Sequence, residues 1–212
     1  MSPGDEFIEQ QVPLVHRALL PKPFSAAYAA VEDLVREVPF LQCPPAKLAR
    51  GHLTAWAVDF AVSQMIESGS WTVEGYDWPW FAKPTGKYLR IFTKDAILTI
   101  NQLPDTVHRP RYADFRENDG YSEQISLFPE EKNLGDKRRP HLLLLHGYHS
   151  LDFINIAMPN KEKYPVWLGM SKNVLQEIHD ISVDLVPAEG PKTVSPGTIK
   201  EELKKKIHDN HG

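Results

Sequence analysis

Apolar residues recur at three- and four-residue steps over Phe24, Ala27, Tyr28, Val31, Leu34, Val35 and Val38. That spacing puts them on one face of a helix, with Glu32, Asp33, Arg36 and Glu37 outside. Ser25 is a suitable N-cap and Pro39 stops the run. A second helix opens at Pro44-Pro45, where a missing N–H costs nothing in the first turn, and runs to Ser68 before Gly69. Between Leu53 and Ile66 its only charge is Asp59, so the pattern predicts a helix at the centre of the core.

After Gly69 the period changes to two. Tyr88 to Thr93 and Ala96 to Gln102 read as a hairpin turning at Lys94-Asp95, without the usual glycine, and Trp71 to Glu74 as a short strand. His141 to Tyr148 and Leu151 to Met158 form the next pair. Leu142 to Leu145 is continuously apolar, the pattern of a central strand covered on both faces. Val166 to Leu168 predicts an edge strand, Val174 to Ile181 a short helix and Ile181 to Leu185 a last strand. The polar stretch 104–140 holds one short strand candidate, Gln124 to Phe128. Loops of that length are usually functional or mobile. Helices first and hairpin-linked strands afterwards define an α+β class, with two N-terminal helices packed on an antiparallel or mixed sheet.

Three segments follow from this pattern. Residues 1–23 carry four prolines and no period, and read as an N-terminal arm. Residues 24–186 form a single α+β domain. Residues 187–212 are rich in Pro, Gly, Lys, Glu and Ser and read as a flexible tail, too polar to offset the entropy of ordering it. Within that tail only Thr198 to Ile207 is suited to a short helix, and Ile199, Leu203 and Ile207 are the stripe by which it would dock.

Composition narrows the class. Of 212 residues, 42% are hydrophobic and 25% charged, as in globular domains, and the net charge of −4 gives no global steering towards nucleic acid. The longest aliphatic run is four residues, Leu142 to Leu145, far below the roughly 18 of a membrane span, so no membrane association is expected. One cysteine, Cys43, excludes an intrachain disulfide and a Cys-based zinc cluster. Met1 to Gln11 is acidic and polar, unlike a signal peptide, and both features predict the cytoplasm.

Several clusters carry candidate chemistry. His146, His149 and Asp152 lie within seven residues, and imidazole with carboxylate suits zinc, iron or manganese. The same residues at a buried hairpin end also satisfy turn backbone groups, and this reading is preferred, so no cofactor is expected. Leu143 to Gly147 resembles the oxyanion strand of α/β-hydrolases, but Gly169-Met-Ser171-Lys-Asn173 lacks the second glycine of a nucleophile elbow, which excludes that class. Asp119 with Glu130-Glu131-Lys132 has the spacing of a magnesium nuclease, in surroundings too polar to hold it rigid. Pro84-Thr-Gly86-Lys87 lacks the first glycine of a phosphate loop. Asp59 has His52, Trp56 and Ser63 on its helix face and is expected to pair with a neighbouring element, because a buried charge must be paired.

Trp71, Tyr76, Trp78, Trp80 and Phe81 crowd into eleven residues, followed by Lys83, Lys87 and Arg90. Such residues fill a core, anchor a protein partner or stack bases. The first function expected is a non-enzymatic protein-binding or regulatory module, antitoxin-like, in a bacterial or phage accessory protein. Its contact residues are Trp78, Trp80, Phe81, Lys83, Arg109, Arg111 and Arg116. The alternative is a metal-dependent hydrolase or nuclease using His146, His149 and Asp152. A second alternative is nucleic-acid binding through Arg109, Arg111, Arg116, Lys137, Arg138 and Arg139.

Overall fold

The computed structural model describes residues 2–47, 49–81, 86–108, 110, 139–160, 165–177 and 195–209. Its helices are α1 (Pro3–Gln11), α2 (Leu14–Arg17), α3 (Pro21–Glu37), α4 (Pro44–Lys47), α5 (Arg50–Glu67), α6 (Val174–Glu177) and α7 (Pro196–Asp209). The strands are β1 (Gly75–Asp77), β2 (Arg90–Phe92), β3 (Ile97–Leu103), β4 (His141–Gly147), β5 (Ile154–Pro159) and β6 (Trp167–Met170). They form one six-stranded sheet in chain order, antiparallel except for the parallel pair β3–β4. The class is α+β, and the sheet is mixed.

α3 and α5 pack on one face of this sheet. Phe24, Ala27, Val31 and Leu34 from α3 and Leu53, Ala57, Ala61 and Met65 from α5 meet Leu98, Leu142, Leu144, Ile154 and Ile156. The opposite face carries a smaller cluster of Leu103, Leu143, Leu145, Phe153 and Ala157. All seven residues of β4 are buried, and it lies inside the sheet, which is why its sequence does not alternate. Each of its four leucines contributes about 2 kcal/mol of burial.

The helices start differently from their sequence pattern. α3 opens at Pro21 rather than after Ser25, and the second helix is divided into α4 and α5. Trp71 to Glu74 is not a strand; Trp71 is buried in the core and the strand begins at Gly75. The Lys94-Asp95 turn manages without glycine because the Gln11 side chain accepts from the Asp95 N–H (2.8 Å) and the Thr93 hydroxyl (2.9 Å). The strand candidates Gln124 to Phe128 and Ile181 to Leu185 lie outside the described residues.

The stretch read as an arm is helical and anchored. Its prolines open helices instead of breaking them: Pro3 and Pro21 occupy first-turn positions and Pro13 precedes α2. Ser2 and Asp5 form a capping box on α1, and Ile8, Val12 and Leu20 enter the core. Asp5 also accepts from the Met170 N–H at 3.0 Å, so α1 covers the β6 edge of the sheet. The approach is close enough to require glycine on both sides, since a Cβ on Gly4 would lie 2.4 Å from the Leu168 carbonyl oxygen and one on Gly169 2.4 Å from the Gly4 carbonyl carbon. Arg17, itself buried, pairs with Glu9 (2.7 Å) and Glu177 (3.1 Å) and donates to the Val12 carbonyl (2.9 Å), tying α2 to α6.

The short helix expected near Thr198 to Ile207 is α7. It is capped by the Ser195 hydroxyl (3.2 Å from the Thr198 N) and lies against α3 and α5. Ile199 and Leu203 are buried there, and Ile207 packs beside them. Lys200 (2.7 Å) and Lys204 (3.4 Å) both reach Glu37 on α3. Among the described residues no helix is long and apolar enough to cross a membrane.

Candidate binding site

His146, His149 and Asp152 are not brought together as ligands. His146 is fully buried on the helix face of β4, whereas His149 and Asp152 are exposed in the turn that follows. Among the described residues no three His, Cys, Asp or Glu side chains form a metal-ligating group. Tyr28 donates its hydroxyl proton to the Gly147 carbonyl, so the 2.7 Å contact with His146 is a donation from Nδ1–H to the Tyr28 oxygen. Phe24 packs against the same imidazole with ring centroids 5.3 Å apart. Burial pushes the His146 pKa down to about 3, which keeps the ring neutral. Burial also raises Tyr28 above the usual phenol range; the Gln102 amide opposes that shift and the Asp152 charge adds to it. Gln102 approaches this pair from β3 without its amide nitrogen reaching hydrogen-bond geometry.

This arrangement pins α3 to the end of β4. Tyr28→Phe is expected to cost about 1–3 kcal/mol, because it strands a buried imidazole N–H and a buried carbonyl. Urea denaturation of the variant measures the loss; an unchanged midpoint would show that the pin bears no load.

The aromatic segment divides between interior and surface. Trp71 is core, Tyr76 donates to Glu67, and Phe81 stacks on Tyr88 at 5.1 Å. Trp78 and Trp80 leave the sheet beyond β1 and are 36% and 61% exposed. Lys87 places Nζ 5.1 Å from the Trp80 ring. Arg90 forks onto Asp77 with bonds of 2.9 and 2.6 Å. Lys83, Arg109, Arg111, Arg116, Lys137 and Arg138 lie outside the described residues. Arg139 is committed to the fold: it pairs with Glu74 at 2.7 Å and donates to the Thr93 carbonyl at 2.8 Å.

Trp78 borders a cavity of about 450 Å³ between α5 and α7. Trp56 and Phe60 from α5, Trp78, and Ile199 and Leu203 from α7 supply apolar walls. Asp59 keeps some surface in this cavity, while protein surrounds its carboxyl on the other sides. Burial pushes its pKa up to about 7, against a backbone hydrogen bond from Leu89 and the charge of Lys206, both of which lower it. The expected neighbours do not supply its partner. His52 is exposed and tilts over Trp56 (6.4 Å), and Ser63 donates to the Phe60 carbonyl at 2.9 Å. Lys206 instead arrives from α7, with Nζ 4.6 Å from the Trp56 ring centroid, and Lys205 pairs with Glu202 at 2.6 Å.

The cavity was invisible along the chain because one wall is α7. Two signals pointed to its parts: the lone charge of Asp59 in an apolar helix, and the four-residue spacing of Ile199, Leu203 and Ile207. No protein-family model, curated protein or solved structure matches the chain, so geometry alone carries the functional reading.

Proposed function

We propose that the chain is a non-enzymatic binding module that recognises another protein through the Trp78–Trp80 edge. One observation supports this reading above the others: two indoles, 36% and 61% exposed, lie two residues apart just beyond a strand, and the more exposed one carries a basic side chain on its ring. A large ring with a polar tip is the preferred anchor of a protein interface, and leaving it in water costs the free protein apolar hydration. In this reading the module is regulatory, of the neutralising kind, and works in the cytoplasm, where the thiol of Cys43 stays reduced.

Trp80→Ala and Trp78→Ala are the test. Each is expected to weaken the captured complex by about 2 kcal/mol or more while leaving the melting temperature of the free chain nearly unchanged. Parallel capture with wild type and both variants, followed by titration of any protein lost from the variants, measures it. A complex that binds both variants as tightly as wild type rules the edge out.

A further inference from the structure

We propose that the cavity between α5 and α7 binds a guanine nucleotide. The base lies among the Trp56, Phe60 and Trp78 rings, its N–H edge meets Asp59, and its phosphate sits at the lysines of the mouth.

The size and walls come first. About 450 Å³ falls within the range of small-molecule sites, and three aromatic side chains with two aliphatic ones suit a flat ring better than a flexible chain. The polar group then selects the ring. At pH 8, above the point where Asp59 loses its proton, its carboxylate only accepts hydrogen bonds, and Leu89 supplies one backbone donor. The remaining acceptor capacity matches a pair of adjacent N–H donors, such as the N1–H and 2-amino group of guanine. Adenine presents an acceptor at the corresponding ring position and leaves the carboxylate half satisfied.

The mouth selects the other end of the ligand. Lys87, Lys205 and Lys206 face it against one acid, Glu202, which already pairs with Lys205. An incoming lysine or arginine side chain would satisfy Asp59 but would meet like charge at the entrance. An aliphatic chain would leave the Asp59 carboxyl without a partner. An aromatic body with an anionic group satisfies both ends. Lys206 now rests over the Trp56 face, and it is an exposed side chain, free to turn from that ring to a phosphate as the base stacks.

Guanosine 5′-phosphate occurs free and at the end of a single strand, and titration separates the two sources. The full chain is titrated at pH 8 with GMP, AMP, guanosine and a short single-stranded DNA bearing a 5′-phosphorylated guanine. Calorimetry and quenching of the summed tryptophan fluorescence, to which Trp56 and Trp78 contribute two of five indoles, give the readouts. One GMP is expected to bind per chain, about tenfold more tightly than AMP and than guanosine. Asp59→Asn is expected to weaken GMP about tenfold, and Lys87→Ala, whose side chain rests on Trp80 and not on the base-stacking rings, to weaken GMP more than guanosine. Tighter binding of the oligonucleotide with the same Asp59→Asn sensitivity supports the site and assigns the strand end as its source. Trp80→Ala lies outside the cavity and leaves Asp59 and the aromatic walls in place, so the preference for GMP over AMP is expected to persist in it, and this result stands or falls apart from the protein-binding edge. No saturable binding of GMP or the oligonucleotide below about 1 mM overturns the proposal. So does GMP affinity unchanged by Asp59→Asn, or AMP affinity equal to that of GMP.

Discussion

Asp59→Asn is expected to stabilise the fold by about 3 kcal/mol at pH 8 and by almost nothing at pH 4. The carboxyl titrates near its ordinary value of 3.8 in the unfolded chain and at about 7 in the folded one. Between those values the folded state binds the extra proton. Stability therefore falls as pH rises through this window, and above about 7 the full cost of holding a buried carboxylate remains. About three pKa units correspond to about 4 kcal/mol, reduced here because Asp59 keeps some surface in the cavity. Asparagine has the same shape and no charge to desolvate, so its curve lacks this slope. Urea denaturation of both proteins from pH 4 to pH 8 is the measurement. Parallel curves would show that the carboxylate is solvated or firmly paired with Lys206.

Ile199→Ala is expected to cost about 3 kcal/mol and to lower the melting temperature by about 6–12 °C. Ile199 is 0% exposed and Leu203 4% exposed, both set against α3 and α5, so truncating Ile199 removes packing that the backbone around it cannot fully restore. The ion pairs of Lys200 and Lys204 with Glu37 add little, since their partner is largely in water. Removing residues 195–212 altogether should cost more still, by exposing the α3–α5 groove and one wall of the cavity. A calorimetric scan of the point variant and the truncation measures both losses. A truncated chain that melts like the full one would show α7 to be a loose appendage.

These two expectations lie at opposite ends of what could be read from the chain. Asp59 stood out in the sequence because a single charge in an apolar helix is a local anomaly. The docking of α7 did not, although the stripe of Ile199, Leu203 and Ile207 was legible. A stripe records that a face must be covered and carries no information about which groove covers it. The same holds for α1. Four prolines read as breakers, and whether a proline breaks or opens a helix depends on its place in the first turn.

The sequence by itself determined the α+β class, the two principal helices, the β2–β3 and β4–β5 hairpins and the central position of β4. Each follows from a period of two or of three to four residues, set by backbone geometry within a few neighbours. Only the tertiary structure decided that β3 and β4 pair in parallel, that His146 turns inward to Tyr28 while His149 and Asp152 face water, and that Asp59, Trp78 and Lys206 border one cavity. The contacts join residues far apart in the chain, such as Tyr28 with His146 and Asp59 with Lys206. Their meeting depends on register and on which buried faces satisfy each other, and no local pattern along the chain encodes that.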